Sequence, residues 1–204
     1  MNKYKLVIFD LVDTLVNGTG LPDMTALLEQ SLGTETVARF IDSGNIDTLA
    51  SVDLAMQKFA SIITLSESQE KLVREWLEWS EGFLFDDAIE TLQYLKQNGY
   101  SIAIISNSPP TSHDQLANLQ IKQYVDHAIF SFEVGTRKPE KEIFLHLLRK
   151  TNVNPSEAVM VGDSMKNDIR GAIVAGIDAV LLDRNNESNY EPRISSLLQL
   201  RDIL

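Results

Sequence analysis

The chain has 204 residues, 44% of them hydrophobic, with a formal net charge of −11 and no cysteine. That length suits one α/β domain of about 130 residues carrying a smaller insert, and the apolar share supports a sizeable core rather than disorder. The acidic balance argues against a nucleic-acid partner, and the lack of cysteine excludes disulfides, a thiol nucleophile and a zinc–thiolate centre. No run reaches the roughly 18 apolar residues of a membrane span, and the opening "MNKYKLVIFDLVD" does not have the form of a signal peptide. The expectation is a cytoplasmic globular protein, with no membrane partner, acting as a monomer or homodimer. Small anionic ligands stay open to it, because a local cluster of lysine and N–H groups outweighs a global field.

In chain order, Lys5–Phe9 is the first of five short apolar runs; Ile102–Ser106, Ala128–Phe132, Ala158–Val161 and Ala179–Leu182 follow. None alternates with polar residues, which suits strands covered on both faces. Helical patterns lie between them. Asp87–Asn98 gathers Ile89, Leu92 and Leu95 on one face and stops at Gly99. Glu140–Lys150 and Asn167–Ala175 repeat that spacing, the latter stopping at Gly176. Strand–helix alternation predicts a parallel, doubly wound α/β sheet.

Residues 16–84 break this rhythm and read as helices only. Pro22–Leu32 stops at Gly33, Thr34–Asp42 at Gly44, and Asp47–Ile63 carries Val52, Met56 and Phe59 on one face. Ser66–Gln69 opens a further helix with a capping-box pattern. The predicted organisation is an α/β core of residues 1–15 and 85–204 with an all-helical insert at 16–84. Trp76 and Trp79 read as packing within that insert.

Ligands of open α/β sheets bind beyond the carboxyl ends of the strands, so the residues after each strand carry the functional signal. The first strand delivers Asp10 and Thr14, the second "SNS" (Ser106, Asn107, Ser108), the third Lys138, and the fourth "GDSMKND" with Asp163 and Asp168. A carboxylate can attack phosphorus. Two anions approach only with a cation between them, and Mg²⁺ takes one or two carboxylates with phosphate and water. Asp10 and Asp163 are the obvious pair. His113, His127 and His146 share no spacing that marks a site.

The motifs "FDLVDTL", "IISNS", "GTRKPEKEIF" and "VGDSMKNDIRGAIVAGI", in this order, resemble the haloacid dehalogenase-like hydrolase superfamily, in its branch with a helical cap inserted after the first strand. The resemblance covers about 135 core residues. It implies a Rossmann-like core, a mobile cap and a Mg²⁺-dependent phosphatase acting on a small phosphorylated metabolite. By motif position, Asp10 would be the nucleophile. Thr14, Ser106, Asn107 and Lys138 would bind the phosphoryl group. Asp10, Asp163 and the backbone carbonyl of Val12 would hold the metal. Asp168 would join the metal, directly or through water, or orient Lys138.

One position departs from the pattern. Family phosphatases carry an aspartate two residues after the nucleophile, as acid–base catalyst, where this chain has Val12; Asp13 comes one step late. Three readings follow: a slow or selective phosphohydrolase, another reaction of the superfamily such as dehalogenation or phosphonate cleavage, or a non-catalytic protein that binds phosphate and Mg²⁺.

Overall fold

The computed structural model describes residues 3–17, 24–44, 49, 51–78, 82–108 and 112–204, the side chains of 24, 25 and 41–44 excepted. Strand β1 (Leu6–Phe9) leads through a tight turn to β2 (Val16–Asn17). Helices α1 (Met24–Leu32), α2 (Thr34–Gly44), α3 (Val52–Ala60) and α4 (Glu67–Leu77) follow. Strand β3 (Phe83–Leu84) then returns to pair antiparallel with β2. Beyond it come α5 (Ala88–Gln97), β4 (Ser101–Ser106), α6 (Ser112–Asn118), β5 (His127–Phe130), α7 (Ser131–Val134) and α8 (Lys141–Thr151). The chain closes with β6 (Ala158–Gly162), α9 (Gly171–Val174), β7 (Asp178–Leu182) and β8 (Arg193–Ile194).

The main sheet has the order β5-β4-β1-β6-β7-β8, parallel throughout. The chain builds outward from β1 on one side, then crosses back to build outward on the other. That leaves the switch point beside β1. Alternate residues of β1 face opposite layers. Val7 and Phe9 pack with Leu92 and Leu197, while Leu6 and Ile8 pack with Phe144 and Leu147. A strand buried on both faces must be apolar at every position, which is why "LVIF" is continuous.

The helices between β2 and β3 bury a third cluster of their own, in which Phe40 and Phe59 stand 3.8 Å apart between ring centroids. Trp76 packs against that cluster; Trp79 lies outside the described residues. Ser66 heads α4 with the capping box expected for it.

Several boundaries differ from expectation. The run Ala128–Phe132 is strand only to Phe130, because the Glu133 carboxylate accepts the Phe130 N–H and opens a one-turn helix. Helix α2 includes Gly44 instead of stopping before it, a terminal position where a glycine costs little. Helix α3 begins at Val52, capped by the Ser51 side chain, so the helical stretch expected from Asp47 is shorter; residues 45–48 and 50 lie outside the described residues. The helix expected at Asn167–Ala175 starts as a π-helical turn, Met165–Arg170, before becoming α9. The stretch 16–84 is not helical throughout, since β2 and β3 stand at its two ends; these two-residue strands, like β8, were too short to leave a pattern. Among the described residues no helix is long and apolar enough to cross a membrane.

Gly171 lets α9 lie close to α8: a Cβ there would stand 2.7 Å from Phe144 Cε2 and 3.1 Å from Pro139 Cα. Gly171→Ala is therefore expected to cost about 1–3 kcal/mol in overpacking, read as a lower urea midpoint at unchanged slope. A midpoint equal to wild type would mean that the two neighbours give way without strain.

Candidate active site

Asp10 prolongs the β1 ladder by one residue, its N–H donating to Val161 O at 3.0 Å. The chain then turns sharply. Asp13 N donates to Val16 O, and Leu15 N and Val16 N both donate to Leu11 O; none of these bonds falls on the Val12 carbonyl. Asp13 holds the left-handed backbone that the turn requires, at φ 59°. The turn puts Thr14 beneath the site, fully buried, with its hydroxyl donating to Asp163 Oδ1 at 3.2 Å. Val12 points outward, 44% exposed.

Lys138 is 1% exposed and reaches two carboxylates, Asp10 Oδ1 at 2.7 Å and Asp168 Oδ1 at 2.6 Å. A buried ammonium is tolerated only when paired in this way. Its backbone is held by Asn107, whose side-chain Nδ2 donates to Lys138 O at 2.9 Å while Oδ1 accepts from Lys138 N at 2.8 Å. Asp168 is fully buried, and both its oxygens are engaged, Oδ1 by Lys138 and Oδ2 by the Ser164 N–H at 2.9 Å. Gly162 makes room for it: a Cβ at that position would stand 2.4 Å from Asp168 Oδ2. Ser106, 2% exposed, accepts from Ser108 Oγ at 2.6 Å, which leaves its own proton to donate.

Asp10, Thr14, Ser106, Asn107, Lys138, Asp163 and Asp168 thus gather beyond the carboxyl ends of β1, β4, β5 and β6, but two have protein partners that the sequence did not show. The Asn107 amide pairs with the lysine backbone, and the Thr14 hydroxyl donates to Asp163. The clamp on Lys138 was hidden because "SNS" and "RKP" are about 30 residues apart, and only the β4–β5 register unites them. Ser164 and Gly162 were equally silent. His113 instead pairs with Glu133 at 2.6 Å, at the end of β5.

Oxygen atoms of Asp10, Asp163 and Asp168 lie within 4.8 Å of one another. An all-oxygen, anionic donor set suits a hard divalent cation such as Mg²⁺. Since Asp168 is committed on both oxygens, Asp10 and Asp163 are the carboxylates that remain to face one. Burial, then the Asp10 charge, push the Asp168 carboxyl up to about 7, with Lys138 pulling the other way. Asp163 stands at the rim, yet protein crowds it enough that burial, then the Asp10 and Asp13 charges, raise it too. For Lys138 burial acts downward, but the Asp10 and Asp168 charges outweigh it and keep the ammonium charged.

A family model described as haloacid dehalogenase-like hydrolase matches residues 4–176. A phosphoglycolate phosphatase of Haemophilus influenzae (strain 86-028NP) is 30% identical over 194 residues, 87% of this chain and 85% of that protein. A glyceraldehyde 3-phosphate phosphatase of Methanopyrus kandleri is 36% identical over 110 residues, 53% of this chain and 47% of that protein. The chain spans about half the length of several curated relatives it matches. Among solved structures, a HAD phosphatase from Thermococcus onnurineus superposes with a TM-score of 0.69 at 29% identity, covering 98% of this chain and 97% of that one. A 2-haloacid dehalogenase from Pseudomonas syringae pv. Tomato DC3000 superposes with a TM-score of 0.73 at 23% identity over 98% and 97% of the two chains, a likeness of fold alone.

Two predictions follow from the geometry. Both raised carboxyls make the metal-free folded chain bind more protons than the unfolded chain between the usual carboxylate range and about pH 7. Their contribution therefore favours folding less as pH rises through that window. A cation facing Asp10 and Asp163 must displace the proton that the raised Asp163 carboxyl holds, so Mg²⁺ is expected to bind more tightly, and raise Tm more, at about pH 7.5 than at about pH 5.5. Calorimetric affinities equal at the two values would contradict this. Asn107→Ala should weaken inorganic phosphate binding by about tenfold through a misplaced Lys138, with Asn107→Gln failing to restore it because its longer arm does not fit the reciprocal pair.

Proposed function

The chain belongs to the haloacid dehalogenase-like hydrolases, and on that premise we propose that it is a Mg²⁺-dependent phosphatase of a small phosphorylated metabolite, working through an aspartyl-phosphate on Asp10. The observation that carries this reading is the grouping of Asp10, Asp163 and Lys138 at the switch point, where the lysine ammonium touches Asp10 on one side and a second carboxylate that would share a cation with it stands on the other. Phosphoglycolate, glyceraldehyde 3-phosphate and ribulose 1,5-bisphosphate phosphatases among the relatives favour a compact sugar or acid phosphate. The helices between β2 and β3 are the proposed cap over the site, joined to the core through that strand pair.

Asp10 Oδ1 is tied to Lys138 and to the Leu11 N–H at 2.6 Å, which leaves Oδ2 to attack phosphorus in line. Lys138 holds charge off the attacking carboxylate, and Asp168 holds Lys138. The Ser106 hydroxyl and backbone N–H groups of the turn after Asp10 donate to the equatorial oxygens. Bound Mg²⁺ would rest on Asp10, Asp163 and the Val12 carbonyl and would neutralise the charge between phosphate and nucleophile.

On this reading, the place from which an acid would protonate the leaving oxygen holds the Val12 isopropyl group, which neither gives nor takes a proton. The chemistry is therefore best matched to leaving groups that depart as stable anions, such as those of acyl phosphates. Retention of Asp163 disfavours dehalogenation, which needs no cation beside the nucleophile. Phosphonate cleavage has little to draw on, since the proposed cap offers only the lysines Lys58 and Lys71.

Phosphate release from acetyl phosphate and from an aryl phosphate, with and without Mg²⁺, tests the proposal. Wild type should hydrolyse acetyl phosphate, Asp10→Asn should be inert, and Val12→Asp should gain about 10²–10⁴ on the aryl ester. If wild type and Val12→Asp both release nothing while Mg²⁺ and phosphate still bind, the site serves binding alone.

A further inference from the structure

We propose that Arg184, which lies in none of the motifs, is a positioning residue that clamps both feet of the β2–β3 link to the core and so keeps Thr14 in register with Asp163. It follows β7, and its guanidinium grips both sides of the link at once. On one side Nη2 donates to Thr14 O at 3.0 Å, two residues before β2. On the other, the guanidinium carbon stands 3.7 Å from the centre of the Phe85 ring, directly after β3. Nη1 and Nη2 also form a bidentate pair with Asp87, at 2.9 and 3.0 Å.

Asp87 is anchored in turn. It accepts from Ser196 Oγ at 2.8 Å and from Leu197 N at 2.9 Å, and Leu197 belongs to the buried core. The two feet are also bonded to each other, Phe85 N to Leu15 O at 3.0 Å. One planar side chain thus ties the turn that carries Thr14, the start of α5 and the C-terminal segment. Only a guanidinium presents two donors to a carboxylate, a third bond to a carbonyl and a flat face to an aromatic ring. The consequence is mechanical. Movement of the helical segment would begin beyond the clamp, at β2 and β3, and would not reach the Thr14–Asp163 bond.

The inference rests on the reading of Asp163 as a metal ligand only for its effect on Mg²⁺; the clamp itself is tested without it. Amide hydrogen exchange on the full chain would compare wild type with Arg184→Lys and Arg184→Ala. Arg201→Ala serves as control, since Arg201 pairs with Glu90, lies over Tyr94 and touches neither foot. Exchange at Leu15, Val16 and Phe85 should quicken by about tenfold in both Arg184 variants, with β4 and β6 amides unchanged. Mg²⁺ affinity, by calorimetry with the metal alone, should fall by about 10–100-fold. Added guanidinium should restore part of both in Arg184→Ala. Should Arg184→Ala not fold, Arg184→Lys carries the test, because an ammonium keeps the charge but not the reach to Thr14. Exchange at the three amides matching the Arg201→Ala control, or rising equally across the sheet, overturns the proposal. Wild type that binds no Mg²⁺ removes the metal reading alone and leaves the exchange result to decide the clamp.

Discussion

The buried ammonium of Lys138 between two carboxylates is the constraint on which the rest of the site depends. An ion with 1% exposure has no water to solvate it, and the penalty is tolerable only if protein supplies both charge and hydrogen bonds in good geometry. That demand explains why Asp168 has both oxygens engaged, why Gly162 has no side chain, and why Asn107 fixes the lysine backbone at donor and acceptor alike. Each of these residues makes the next one's position necessary. What remains unpaired after the demand is met, one oxygen of Asp10 and the rim-facing part of Asp163, is what a substrate and a cation would use.

The same logic separates the two halves of the site. Its floor is stiff: β1, β4 and β6 are covered on both faces, and Asp10 leaves β1 still bonded to Val161. Beside that floor, a tight turn and a short antiparallel pair lead to helices with their own buried cluster, the proposed cap. A catalyst of phosphoryl transfer needs both, since in-line attack depends on fixed charges while exclusion of water depends on a part that moves. Arg184 stands where these two requirements meet.

Val12 bears on the proposed chemistry as much as the residues around it. The fold superposes on phosphatases and on a dehalogenase alike, so architecture does not choose between chemistries. The choice comes from side chains at a handful of strand ends. Retention of Asp163 and Lys138 speaks for phosphate; an isopropyl group where a proton donor belongs speaks for a leaving group that does not need one.

The amino-acid sequence by itself determined the sheet, because doubly covered strands must be apolar at every position, and such runs are visible without any partner. It likewise marked Asp10, Ser106, Lys138 and Asp163, since polar residues placed directly after buried strands have one edge on which to meet. Local patterns did less well where a single side chain overrides the period. Glu133 ends β5 early by capping Phe130, and the π-helical turn at Met165–Arg170 breaks the spacing expected of Asn167–Ala175. What only the tertiary structure decided is which polar atoms are already engaged. Thr14 turned out to serve Asp163, and Asn107 to serve Lys138. Arg184, which no sequence pattern singled out, bridges residues about 97 and 170 positions away. Hydrogen bonds between distant segments leave no periodic trace, because they are fixed by strand register and side-chain reach, and both exist only once the sheet has closed.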